Sequence, residues 1–142
     1  MPMYEEALVA PLRAELTRLG AQELRSPAEV DAAVARPGTT LLVVNSVCGC
    51  AAGAMRPGVA LALRHAARPD AVATVFAGQD AEATSRARHH FAPHPASSPS
   101  IALLKGGKVA EFISRQQIEG RAPQEVARLL IAAFDRHCLP GG

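Results

Sequence analysis

The sequence predicts an α/β fold, a central mixed β-sheet flanked by helices with one further helix ahead of it. Three observations carry that expectation. The run Thr39-Thr40-Leu41-Leu42-Val43-Val44-Asn45 is β-branched and apolar on both faces, the pattern of a central parallel strand covered on two sides. This run and a second one at 71–77 alternate with segments of helical composition, which implies parallel strands joined by right-handed crossovers. Near the end, two short strand-like segments flank Lys105-Gly106-Gly107-Lys108, whose paired glycines suit a tight hairpin. That hairpin adds one antiparallel edge strand.

Each element has a local reason. Leu8, Leu12, Leu16 and Leu19 recur at helical spacing within 4–19, and Gly20 is placed to stop the helix. A short extended piece covers 21–24. Ser26-Pro27-Ala28-Glu29 then supplies an N-cap, a proline at the first helical position and a glutamate three residues after the cap, opening a helix to about 35. After the strand at 39–45, residues 51 to about 67 read as a helix with a kink at Pro57. The strand at 71–77 is followed by a helix over 80–91, with Gln79 and Asp80 placed to cap it. Pro93, Pro95 and Pro99 mark an irregular connection. Strands at 100–104 and 108–113 lead to a last helix over 123–137, with Val126, Leu129, Leu130, Ala133 and Phe134 on its apolar side. No repeat, linker or low-complexity tract interrupts the chain, so 1–142 reads as one domain.

Composition bounds the function. The 142 residues are 49% hydrophobic and 20% charged, enough for a core without disulfide or metal staples. Fifteen basic and thirteen acidic side chains leave a formal charge of +2. Only Lys105 and Lys108 are lysines and the arginines are scattered, so nothing marks a nucleic-acid or membrane-surface partner. No apolar run approaches the ~20 residues of a membrane span. The start, Met1-Pro2-Met3-Tyr4-Glu5-Glu6, lacks the pattern of a signal peptide. The expected location is cytoplasmic.

Chemistry concentrates at Cys48 and Cys50, separated by one glycine. Three cysteines are an odd count, which argues against a secreted disulfide scaffold. Cys48 stands where an apolar strand turns into a helix, the place in open α/β sheets where reactive groups gather. A thiol there faces unpaired backbone N–H groups and the positive end of the helix dipole. Its pKa is expected below the free value of ~8.5, within the ~3.5–7.5 range of such sites, which makes Cys48 the attacking nucleophile. Positions i and i+2 on a helix point about 200° apart. A Cys-x-Cys disulfide therefore needs a departure from helix, which Gly49 allows, and is expected to be strained and oxidising. Such a pair suits removal of a thiol from another protein, with Cys50 resolving the mixed disulfide on Cys48. A second chemistry fits the same residues. Cys48 and Cys50, with or without Cys138 beside His137, would give a thiolate metal or metal-delivery site.

The segment Val43-Val44-Asn45-Ser46-Val47-Cys48-Gly49-Cys50-Ala51-Ala52-Gly53 closely resembles the active-site segment of the bacilliredoxins, thioredoxin-like proteins of bacteria that make bacillithiol. Further matching stretches are Thr74-Val75-Phe76-Ala77-Gly78-Gln79-Asp80, Ser97-Ser98-Pro99-Ser100, Ala102-Leu103-Leu104-Lys105, Ile118-Glu119-Gly120 and Ala132-Ala133-Phe134-Asp135-Arg136-His137-Cys138, so the likeness spans nearly the whole chain. The resemblance implies a thioredoxin-like fold and removal of bacillithiol from cytosolic proteins that carry it as a mixed disulfide. Cys48 corresponds to the attacking cysteine and Cys50 to the resolving one. Bacillithiol enters as thiol substrate or co-substrate, with no resident cofactor or metal. Implied partners are bacillithiolated client proteins, bacillithiol and an external reductant; a weak disulfide isomerase activity goes with some members. Pro99 matches the cis-proline of thioredoxin-like proteins, and Ser98 before it the residue whose backbone meets an extended substrate segment. Both are candidate substrate-binding residues by that resemblance. The match to thioredoxin itself is poorer, with no Trp before the cysteines and no Cys-x-x-Cys.

The remaining candidates have plainer readings. Cys138 is expected to be a bystander near the last helix, and His65, His89, His90 and His94 solvated surface. Asn45 and Ser46 either position the turn before Cys48 or simply end the strand. Arg56 is read as too far along the helix to partner the Cys48 thiolate.

Overall fold

The computed structural model describes residues 2–139. The elements follow in the order α1 (Glu6–Thr17), β1 (Gln22–Glu23), α2 (Pro27–Val34), β2 (Thr39–Asn45), a π-helical turn (Ala51–Met55), α3 (Arg56–Ala62), β3 (Ala71–Phe76), α4 (Ala81–Phe91), β4 (Ser100–Lys105), β5 (Lys108–Ile113), α5 (Arg115–Ile118) and α6 (Pro123–His137). The five strands form one sheet in the order β1-β3-β2-β4-β5. β1, β3 and β2 pair in parallel, while β4 is antiparallel to both β2 and β5.

This corrects one expectation. The strand that opposes the others is β4, inside the sheet beside β2, and the edge strand β5 runs parallel to β2. The Pro-rich connection causes it. It carries the chain back to the end of the sheet where β2 finishes, so that Ser100 pairs with Val44, and the next strand can only run the other way.

Every residue of β2 is buried, and its side chains alternate between two cores as the pleat requires. Leu41 and Val43 join Leu16, Met55, Val59, Val126, Leu130 and Phe134, under α3 and α6. Leu42 and Val44 join Val30, Ala83, Ala87 and Phe91, under α2 and α4. Close packing on the first side is enforced at Gly58, where a Cβ would lie 2.7 Å from Val126 Cβ.

The local signals are largely realised. Gly20 ends the first helix with φ +98°, and Ser26 Oγ accepts the Glu29 N–H at 3.2 Å. Gly106 and Gly107 take φ +59° and +82° in the hairpin turn, the left-handed region that paired glycines enter freely. Three readings are revised. The irregularity expected at Pro57 lies on its N-terminal side, as the π-helical turn. Pro57 itself stands in the first turn of α3, where a missing N–H leaves no bond unmade, and the helix closes at Ala62. Asp80 does occupy the N-cap of α4, yet its side chain makes no capping bond. Its carboxylate is drawn instead to Arg13, 2.6 Å away. Arg13 is 4% exposed and also meets Glu6 and Glu23, both at 2.8 Å. The short helix α5 has no counterpart in the expected elements.

Candidate active site

Cys48 and Cys50 lie at the carboxyl end of β2, where the chain leaves the sheet and begins to coil. The Cys48 carbonyl accepts the N–H groups of Ala51 and Ala52 at 3.0 and 3.2 Å, so Cys48 occupies the opening position of the helical segment. Its own N–H donates to Ser46 Oγ at 3.2 Å. Both thiols are free and half-buried, and their sulfurs are 2.7 Å apart. The departure from helix expected at Gly49 is not seen: Gly49 is helical, is not among the glycines of positive φ, and has open space where a Cβ would stand.

The two sulfurs are driven in opposite directions. The Cys48 thiol is pulled below its usual range by the hydrogen bond from Cys50, aided by backbone N–H groups and the charge of Arg115. Burial pushes the Cys50 thiol up, and its bond to Cys48 and the neighbouring negative charge push it further. The two shifts favour Cys48 as the sulfur that ionises first, with the proton kept on Cys50.

Beneath the turn lies a buried cation. Arg56 is 2% exposed. Its Nη1 donates to Asn45 Oδ1 and to the Ser46 carbonyl, each at 2.9 Å. Its Nε is 3.0 Å from Glu15 Oε1 of α1, an ion pair without hydrogen-bond alignment. Asn45 Oδ1 also accepts the Ser46 N–H at 2.9 Å, and its Nδ2 donates to the Leu12 carbonyl of α1 at 3.2 Å. Arg56 is thus too far along the chain to touch the thiolate, as expected, but it fixes both residues that aim Cys48. Asn45 and Ser46 position the turn rather than merely ending the strand. One sequence signal for Arg56 is available in hindsight, a single charge inside the small and apolar run 51–62.

The strand register brings the Ser98–Pro99 segment to this same end of the sheet, because Ser100 pairs with Val44. The Ser98–Pro99 bond is cis, as is Ala92–Pro93. Arg115 of α5 clasps this segment. Its backbone N–H donates to Ser97 Oγ at 3.3 Å, and its Nη1 donates to the Ser98 carbonyl at 3.2 Å. Arg115 also lines, with Cys48, Cys50, Glu119, Gly120 and Arg121, an open groove of about 440 Å³. Sequence reading did not find Arg115 or Arg121, because only the tertiary fold carries 115–121 to the cysteines.

Cys138 does not join this site. It is buried, with its thiol pushed up by burial and bonded to Thr39. Thr39 and the cysteine pair bracket β2, whose seven residues at ~3.3 Å each put them roughly 20 Å apart. A metal site drawing on all three cysteines is therefore incompatible with this fold. Among the described residues no cluster of three or more His, Cys, Asp or Glu side chains is arranged to hold a metal ion. The histidines serve the surface: His65 bonds Asp135 and His90 bonds Asp31, both at 2.8 Å, and His94 stacks on Phe112 at 4.6 Å. No helix among the described residues is long and apolar enough to cross a membrane.

Comparison with known proteins identifies the family and the fold. The family model described as disulphide isomerase matches residues 4–138. A bacilliredoxin of Geobacillus kaustophilus is 52% identical over 137 residues, 96% of this chain and 94% of the relative. The chain belongs to the bacilliredoxin family. A bacilliredoxin of Koribacter versatilis is 51% identical over 137 residues, again 96% of this chain and 94% of the relative. The bacilliredoxin of Cytophaga hutchinsonii is 48% identical over 133 residues, 94% of this chain and 98% of its own. Among solved structures, a thioredoxin of Malassezia sympodialis superposes with a TM-score of 0.54 at 14% identity, covering 82% of this chain and 90% of the thioredoxin. This shows a thioredoxin-like fold. Membership and fold together make the chain one of a family of thiol–disulfide oxidoreductases.

Proposed function

We propose that this bacilliredoxin-family protein removes a small thiol, bacillithiol, from proteins that carry it as a mixed disulfide, acting in the cytoplasm as one domain spanning 1–142. The Cys48 thiolate attacks the bacillithiol sulfur. A Cys48–bacillithiol disulfide forms, the original disulfide breaks, and the client leaves as a thiolate that takes a proton from solvent. Cys50 then gives up its proton and attacks Cys48 Sγ, forming the Cys48–Cys50 disulfide and releasing bacillithiol. The two electrons that reduced the client now have to be restored by an external thiol or dithiol reductant. Ser98 and Pro99, at the same end of the sheet, are assigned to substrate binding.

The observation that carries this reading is the pairing of the two sulfurs at 2.7 Å with opposite acidity, a nucleophile and its resolving partner already in reach. The test is mass spectrometry of Cys50→Ser after mixing with a bacillithiolated client. One bacillithiol on Cys48, with the client freed, is expected. An unmodified Cys48 beside a client that stays modified overturns the mechanism.

A further inference from the structure

The groove beside the thiol pair has a chemistry that the reaction above leaves unused. Its lining includes two arginines, Arg115 and Arg121, and at Gly120 nothing lies within 4 Å of where a Cβ would stand. Its volume falls within the ~300–1,000 Å³ of small-molecule sites, too little for a folded client and enough for a thiol of a few hundred daltons. The Arg115 guanidinium reaches both sulfurs electrostatically, pulling each thiol towards thiolate.

Arg115 is also the residue that can change partners. Its Nε and Nη2 each lie 2.9 Å from Glu119 Oε2, but this is a surface pair one helical turn apart with both side chains exposed, a kind of ion pair that contributes little. Arg121 holds Glu125 more loosely, at 3.5 Å. A carboxylate entering the groove competes with contacts of that strength, and a planar guanidinium can meet it with two parallel bonds. Meanwhile Arg115 Nη1 holds the Ser98 carbonyl, which ties the groove to the segment assigned to substrate binding.

We infer that Arg115, with Arg121, forms the receiving site for the small-thiol half of the mixed disulfide and selects a thiol that carries negative charge. The inference rests on the reading in the preceding subsection and deepens it. With the anionic half drawn into the groove, its sulfur lies nearest Cys48, and the client thiol becomes the leaving group. Cys48 and the small thiol form the new disulfide, the client is reduced, and no further reactant is consumed.

The test uses the Cys50→Ser protein, which traps the adduct on Cys48, and one reporter protein thiol blocked in three ways: with mercaptosuccinate (anionic), 2-mercaptoethanol (neutral) or cysteamine (cationic). Rates of adduct formation are read by intact mass. Adding Arg115→Gln is expected to lower the anionic-to-neutral rate ratio by about tenfold, the scale of one charge-assisted contact. Raising salt compresses the same ratio in the Arg115 protein. Arg18→Gln, an exposed arginine at the far end of α1, removes equal charge and leaves the ratio unchanged. A ratio that survives Arg115→Gln, or falls equally with Arg18→Gln, overturns the inference while thiol transfer stands. Failure of all three thiols to reach Cys48 overturns both it and the underlying reading.

Discussion

At the scale of single residues, the reactivity of Cys48 is borrowed. Its thiolate is favoured first by the S–H of Cys50 and then by backbone N–H groups and Arg115, so it depends on groups that can be removed singly. Cys50→Ala deletes the largest of these. The ultraviolet thiolate absorbance of Cys48, followed against pH in the Cys50→Ala protein, is expected to rise at higher pH than in the wild type; coincident curves would show that the neighbouring thiol contributes nothing. Arg56 acts on the same sulfur indirectly. Its replacement by methionine keeps volume but leaves Asn45 Oδ1, the Ser46 carbonyl and Glu15 without their cation. A loss of about 2–5 kcal/mol is expected from unsatisfied buried groups, read from urea unfolding. The cysteine pair was legible in the sequence because adjacent positions on one turn need no folding to be seen together. Arg56 was not, since nothing in its spacing says that a helix eight residues on folds back under the turn.

Among elements, the contact of α3 with α6 is set by the absence of a side chain. Gly58→Ala would bring a methyl group to 2.7 Å from Val126 Cβ and 3.1 Å from the Pro123 carbonyl. Overpacking of this kind costs about 1–3 kcal/mol, and a lowered urea midpoint is the expected readout; an unchanged midpoint would mean the helices part without cost. On the opposite face, α2 and α4 are joined by Asp31, which bonds Arg86 at 2.7 Å and His90 at 2.8 Å. The Arg86 bond, followed by that of His90, lowers the Asp31 pKa to about 2. A depressed carboxyl stabilises the fold above its unfolded value of ~3.9 and loses that contribution as pH falls towards the folded value. Asp31→Asn is therefore expected to flatten the decline of stability between about pH 4 and pH 2, measured by urea midpoints at successive pH values. The long elements were readable because their apolar periods run for several turns or alternations. Helix α5 has four residues, shorter than any period, and the π-helical turn differs from an α-helical one by a residue that leaves no compositional trace.

For the molecule as a whole, topology decides what the site contains. The order β1-β3-β2-β4-β5 places β2 in the middle with its carboxyl end open, and the reversed β4 delivers Ser98 and Pro99 to that end. The fold class and the strand-to-helix position of Cys48 follow from the apolar pattern. The groove does not, because 115–121 reach the cysteines only after β4 and β5 have returned the chain. The same architecture isolates Cys138 at the other end of β2, so Cys138→Ser is expected to leave adduct formation on Cys48 intact; loss of the adduct would mean that the third thiol takes part in the exchange.

The helix that precedes the sheet has a larger share in this than its place in the chain suggests. Through Arg13 it grips Asp80 and Glu23, through the Leu12 carbonyl it holds Asn45, and through Glu15 it faces Arg56. Anyone trimming the protein to a minimal redox module would cut there first, since the sheet and both cysteines survive the cut on paper. The trimmed chain would keep its reactive sulfurs and lose the splint that aims them.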